Sequence, residues 1–205
     1  MPTAFITGAS GFIGNHVAAA LVRRGWRVKA LRRSGSACPA QAAALEWVEG
    51  DLRDRDMLGR AIKGCDAVFH VAADYRLWAR DPREIYDSNV SGTANVLHAA
   101  LDAGVEKVVV TSSVGALGLN PDRSPADENT PVSFDDMIGH YKKSKFLAER
   151  EAEKFFARGL PVVCVHPSTP VGPGDHKPTP TGKIILDFLN RKMPAYIDTG
   201  LNLVD

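Results

Sequence analysis

Short apolar runs alternate along this chain with longer stretches of helical periodicity, and that alternation restricts it to few architectures. Strands are expected over 4–7, 27–31, 46–48, 67–71, 107–112 and 162–166, with helices over 12–24, 54–63, 82–103 and 139–158. A strand–helix repeat of this kind builds a parallel sheet with helices covering its faces. Gly25, Gly64, Gly104 and Gly159 each follow a helical run, where a left-handed C-terminal cap favours glycine. Residues 107–110 are nearly continuous in valine, as a strand buried on both faces should be. The fold class is α/β.

Two stretches break the rhythm. Residues 116–135 contain Asn120, Pro121, Asp122 and Pro125 and read as a loop over the sheet edge. Residues 166–180 carry five prolines with Gly172 and Gly174, a stiff loop placed to line a site. The expected division is a nucleotide-binding domain over 1–165, then a substrate-loop region over 166–205 that opens a truncated C-terminal substrate domain. Residues 202–205 look like the beginning of a strand.

The turn between the first strand and first helix narrows the function. It reads Thr7, Gly8, Ala9, Ser10, Gly11, Phe12, Ile13, Gly14. Glycines at 8, 11 and 14 permit a tight turn, close approach of the backbone to a pyrophosphate, and close packing of the helix on the sheet. The helix N-terminus adds free N–H groups and a partial positive charge for the anion. A glycine triplet alone is weak, but here it has the strand–turn–helix context the motif requires. The sheet is therefore of Rossmann type, doubly wound. Where an NAD site places an acid after the second strand, this chain has Arg32 and Arg33. Guanidiniums attract a 2′-phosphate that an acid would repel, so NADP(H) is expected over NAD(H). Asp51, followed by Leu52, is placed to hydrogen-bond the adenine. An ordinary solvated loop is the competing account of all three charged residues.

Tyr141 and Lys145 stand four apart in a helix and so share a face. The fifth strand ends in Val110, Thr111, Ser112, Ser113, which puts hydroxyls at the carboxyl edge of the sheet, where open α/β folds bind ligands. A phenol near pKa ~10 is a poor base, and an adjacent ammonium can lower it. Tyr141 would then exchange a proton with an alcohol or carbonyl oxygen, while Ser113 hydrogen-bonds that oxygen. Lys145 would bias the phenol and hold the nicotinamide ribose. Asp74, Tyr75, Trp78 and His140 are substrate-pocket candidates, with Tyr75 and Trp78 either stacking on a flat substrate or anchoring the loop in the core.

Together these motifs resemble the extended short-chain dehydrogenase/reductases: Thr-Gly-x-x-Gly-Phe-x-Gly at the start, Ser-Ser ending strand five, and the Tyr-x-x-x-Lys helix. The resemblance implies catalytic roles for Ser113, Tyr141 and Lys145, with Ser112 the competing serine. It also implies that Ala72 and Ala73 of Val-Phe-His-x-Ala-Ala line the cofactor, together with Thr111, Pro167 and Ser168. His70 in that segment reads as a satisfied core histidine, and Asn89 resembles the family's helix asparagine that orders the site. Residues 166–175, 177–183 and 193–205 look like the bacterial hopanoid-associated sugar epimerase group, itself similar to dihydroflavonol 4-reductases. Arg32, and Leu117 with Gly118 in place of an aromatic before glycine, lean toward the reductases. Helices 82–103 and 139–158 correspond to surfaces that pair in many relatives, which would make a homodimer.

Three functions remain open: a reductase or dehydrogenase turning over free NADP(H), an epimerase with a retained cofactor, and a non-catalytic NADP(H) sensor. Composition narrows the partners. A formal net charge of +1 gives no footprint for nucleic acid, and no apolar run approaches the ~20 residues of a membrane span. The chain opens on a strand with no room for a signal peptide, and Cys38, Cys65 and Cys164 match no metal or redox spacing. A cytoplasmic enzyme with reduced thiols, no metal and a small-molecule substrate is expected.

Overall fold

The computed structural model describes residues 1–35, 44–196 and 198–205, so Cys38 lies outside the described residues. Six strands form one parallel sheet: β1 Thr3–Thr7, β2 Arg27–Arg32, β3 Glu46–Glu49, β4 Ala67–His70, β5 Lys107–Thr111 and β6 Val162–Val165. Their spatial order is β3-β2-β1-β4-β5-β6, with every neighbouring pair parallel. This is the doubly wound Rossmann arrangement, and its order reverses between β1 and β4, the point where sheets of this topology have their ligand crevice beyond the strand ends.

Helices α1 Phe12–Arg23, α2 Arg55–Ile62, α3 Arg83–Tyr86, α4 Gly92–Ala103 and α5 Gly139–Ala157 connect the strands. Side chains alternate across each strand, so the two faces build separate cores. Phe5, Leu31, Val68, Val108 and Val110 pack with Leu58, Ile62, Val96, Leu97 and Phe155 from α2, α4 and α5. Ala4, Ile6, Val28 and Ala30 pack with Ala18 and Leu21 from α1. The α1 face is less completely covered toward β6, where Val163 and Val165 are 48% and 41% exposed. Val109, on that same face, is therefore only half-buried, not enclosed on both sides as the valine run suggested.

Two elements depart from the sequence reading. The single helix expected over 82–103 is broken by a π turn over Asp87–Ser91 between α3 and α4. The proline-rich stretch is not wholly irregular. Thr169–Pro170 (β7) pairs in parallel with Leu203–Val204 (β8), and Pro180–Leu189 forms α6. Proline at the first helical position costs no hydrogen bond, and the Thr179 hydroxyl accepts from the Gly182 amide as the cap. Gly104 ends α4 at φ 65°, the left-handed cap its position required. No helix among the described residues is long and apolar enough to cross a membrane.

Candidate active site

The glycine turn leaves β1 and enters α1 at the reversal of strand order. Gly8 has φ +78°, and a Cβ there would lie 2.6 Å from the Ala72 amide nitrogen. The first glycine thus serves both the turn and the approach of the segment after β4. At Gly14 a Cβ would drive into the Gly8 carbonyl oxygen, so the helix can sit this close only with glycine. Gly11 donates to the Gly8 carbonyl at 2.9 Å and caps α1 without any side chain, and the first turn holds no acid. Uncapped amides with no competing carboxylate suit a phosphate. Ser10 is exposed, and Phe12 and Ile13 are half-buried beside it. From across the crevice, Pro173 offers its carbonyl to His16 Nε2 at 2.8 Å, bringing the 166–180 segment over the start of α1.

At the far end of β2, Arg32 lies 3.8 Å from Glu49 of β3, an acid the sequence reading did not weigh. Arg33 is exposed beyond it. Asp51 is gripped by Arg53 through both carboxylate oxygens at 2.8 Å, which holds its carboxyl at about 2. Leu52 packs over α4, where a Cβ on Gly92 would lie 3.1 Å from it. Arg53 was missed, and no motif distinguishes it in the sequence.

On the other side of the crevice, β5 and α5 bring the three expected catalytic residues together. Ser113 follows β5 with its oxygen accepting from the Gly115 amide at 3.1 Å. Its hydroxyl is a hydrogen-bond partner of the Tyr141 phenol. The Ser112 hydroxyl turns away and donates to Glu149 Oε2 at 2.6 Å, so only Ser113 faces the phenol. Lys145 is buried and donates from Nζ to the Thr111 carbonyl at 2.7 Å. Burial lowers its pKa to about 8, with Cys164 and Glu149 pulling the other way.

The Tyr141 phenol is not lowered in the way its spacing from Lys145 suggested. Burial raises the Tyr141 phenol above its ordinary value, and Ser113 only partly offsets this. The ammonium expected to lower it is engaged by the Thr111 carbonyl and is itself weakened by burial. Tyr141 is consequently protonated at neutral pH, suited to give a proton.

Behind these residues runs a buried polar chain. Thr93 donates to the Asn89 carbonyl at 2.6 Å, so it can only accept from His70 Nε2, at 2.9 Å. Nδ1 of the neutral ring then accepts from the Thr7 hydroxyl at 2.8 Å, and Thr7 in turn receives the Ala72 amide at 3.1 Å. Burial holds His70 neutral, its pKa at about 3, with the Lys145 ammonium adding to the effect. It is a satisfied core histidine. Asn89, on the π turn, brackets Asp74 through that residue's amide (2.7 Å) and carbonyl (2.9 Å), and donates to Ser144 of α5 (2.9 Å). One side chain thus ties the loop after β4 to the helix carrying Tyr141.

Of the substrate candidates, Asp74 is less free than its sequence position suggested. Burial would raise its carboxyl, but Arg76 bonds both oxygens and holds it below the ordinary range. Arg76 also pairs with Glu84 at 2.8 Å, so its charge is matched twice. His140 contacts the Tyr86 hydroxyl at 3.2 Å. Tyr75 and Trp78 are 43% and 77% exposed, with Leu77 between them, so they do not anchor the loop in the core. Ala72, Ala73, Pro167 and Ser168 all lie at the carboxyl edge, half-buried. The sequence reading missed Glu149, and held His166 only as the first residue of the site-lining loop 166–180. Glu149 stands four after Lys145, on the same face of α5, and that spacing was a signal available from the start.

Known proteins resemble this chain in sequence and fold. The chain is 48% identical over 202 residues to a Synechocystis protein named "Putative dihydroflavonol 4-reductase", covering 98% of this chain and 59% of that one. It superposes on the crystal structure of gox2253 with a TM-score of 0.93 and 51% identity, covering 100% of this chain and 62% of the other. A crystal structure of DesIV, a dTDP-glucose 4,6-dehydratase from Streptomyces venezuelae with NAD and TYD bound, matches at TM-score 0.79 and 26% identity, covering 92% and 62%. The chain therefore spans about three fifths of the length of these relatives. Residues 4–203 match the model of a single family, and the chain belongs to the NAD dependent epimerase/dehydratase family.

Proposed function

We propose that this chain is the nucleotide-binding part of an NADP(H)-dependent reductase that converts a ketone to a secondary alcohol. The observation that carries the reading is the convergence of Ser113, Tyr141 and Lys145 beside the crevice of the glycine turn. The bound nicotinamide supplies the hydride. Tyr141 delivers the proton to the carbonyl oxygen, and its raised pKa keeps that proton available at neutral pH. Ser113 donates a hydrogen bond to the oxygen as charge develops there. Lys145 holds the nicotinamide ribose, and Arg32 and Arg33 take the 2′-phosphate.

Reduction is favoured over epimerisation by the rim of the site. Tyr75, Leu77 and Trp78 are exposed there, while Arg76 is neutralised by Asp74 and Glu84. Such a rim suits a flat apolar ketone better than a charged sugar nucleotide. The same reading places the enzyme in the cytoplasm, as a homodimer formed through α4 and α5, where Phe156 is exposed.

Two experiments test it. Mass spectrometry of protein purified without added cofactor identifies any retained nucleotide. NADPH consumption is then followed against a panel of aromatic ketones with wild type and Tyr141→Phe. We expect stoichiometric NADPH consumption by wild type, and loss of turnover in the variant with NADPH binding kept. Full activity in Tyr141→Phe overturns the role of the phenol, and a tightly retained dinucleotide with no net consumption favours an epimerase.

A further inference from the structure

Outside the catalytic set, a second polar cluster is buried between β5, β6 and α5. Glu149 Oε2 receives the Ser112 hydroxyl at 2.6 Å and approaches His166 Nε2 at 2.9 Å. The Glu149 and His166 side chains are only 14% and 6% exposed. A carboxylate oxygen only accepts, so both contacts are donations to one atom, and the ring carries its hydrogen on Nε2. His166 Nδ1 is buried with no hydrogen-bond partner, so Glu149 is the ring's sole polar anchor among the described residues. Glu149 Oε1 faces Arg150 at 3.7 Å, and Arg150 is closer to Glu153, at 2.6 Å.

What this oxygen touches gives it a role. Ser112 precedes Ser113, and His166 precedes Pro167 and Ser168. The two strand ends are also joined directly: the Ser112 amide donates to Val165 at 2.8 Å and the Val114 amide to Pro167 at 3.3 Å. Lys145 sits one helical turn before Glu149. From this geometry we infer that Glu149 is a positioning residue, which through Ser112 and His166 fixes the wall that receives the nicotinamide half of the dinucleotide. The inference rests on the NADP(H) reading above. Glu149 lies on the β5–β6 side of the sheet, whereas the glycine turn, Arg32 and Arg33 belong to the β1–β2 side. Its influence therefore falls on one half of the ligand.

Isothermal titration of the full chain separates the halves. NADPH spans both sides, whereas adenosine 2′,5′-bisphosphate reaches only the adenosine side. For Glu149→Ala we expect NADPH binding weakened about tenfold, the scale of losing charge-assisted hydrogen bonds, with the bisphosphate unchanged. Ser112→Ala removes one donor without disturbing the helix and gives a smaller loss in the same direction. Glu149→Gln keeps one amide oxygen that can accept where Oε2 stood, and recovers most of the NADPH affinity. Equal weakening of both ligands by Glu149→Ala or Ser112→Ala means a general loosening and overturns the inference, as does unchanged NADPH binding in both. Wild type that binds neither ligand overturns the NADP(H) reading and takes the inference with it.

Discussion

His70 makes the stability of this fold depend on pH in a calculable way. The unfolded chain binds a proton at this residue near the ordinary value of 6.5, whereas the buried ring binds one only near 3. Between those values the unfolded state holds more protons, so stability is fully present above pH 6.5 and is lost as pH falls toward 3. Going from pH 7 to pH 5 should cost about 2 kcal/mol through this one ring, and the whole window close to 5 kcal/mol. The ring is fully enclosed and both nitrogens are bonded, so solvent screening removes little of this. The assay is urea unfolding at pH 7 and at pH 5, on wild type and on His70→Gln. The variant starts from a lower stability, but the quantity read is the difference between the two pH values. His98 is also lowered, by burial first, yet it contributes equally to both proteins and cancels. We expect the wild type to lose about 2 kcal/mol more than the variant between the two pH values. Equal losses would refute the neutral, proton-refusing ring, and with it the hydrogen-bond directions assigned to Thr7 and Thr93.

Three further outcomes follow from the site. Lys145→Met should stabilise the fold by about 1–2 kcal/mol at pH 7 in urea unfolding: relieving the buried charge outweighs the lost bond to Thr111. A less stable variant contradicts this. Gly14→Ala should abolish NADPH binding and cost about 1–3 kcal/mol, because the added carbon meets the fixed Gly8 carbonyl; normal titration calorimetry would mean the turn can yield. Arg32→Asp combined with Arg33→Asn should weaken NADPH at least tenfold more than NADH, and equal losses would mean the pair does not meet the 2′-phosphate.

The parts of this fold legible in the sequence are those governed by local periodicity. Short apolar runs and helix-ending glycines placed every strand of the main sheet, and Gly8, Gly11 and Gly14 placed the phosphate-binding turn, because each reflects a constraint within a few residues of itself. The π turn was not legible: a single extra residue in a helical turn leaves no compositional trace, yet it sets Asn89 between Asp74 and Ser144. Helix α6 was hidden by the prolines around it, although Thr179 followed by Pro180 is a regular helix start. Contacts such as Arg32 with Glu49, or Ser112 with Glu149, depend on strand order and on which face of a helix meets the sheet. Spacing along the chain carries neither.

Helix α5 also explains how the site can carry a weakened lysine and a protonated tyrosine at once. Ser144 receives Asn89 from the β4 side, and Glu149 receives Ser112 and His166 from the β5–β6 side. Tyr141 and Lys145 occupy the surface of the helix near these two attachments. Burial makes the charged form of each costly, so the phenol keeps its proton and the ammonium gives its own up more readily. In water the phenol would keep its proton as well, but the ammonium would stay near its ordinary value, so the lysine is the group that the buried setting changes. The bonds to Ser144 and Glu149 fix the helix at separate points on the two sides of the face that carries half-buried Tyr141 and buried Lys145.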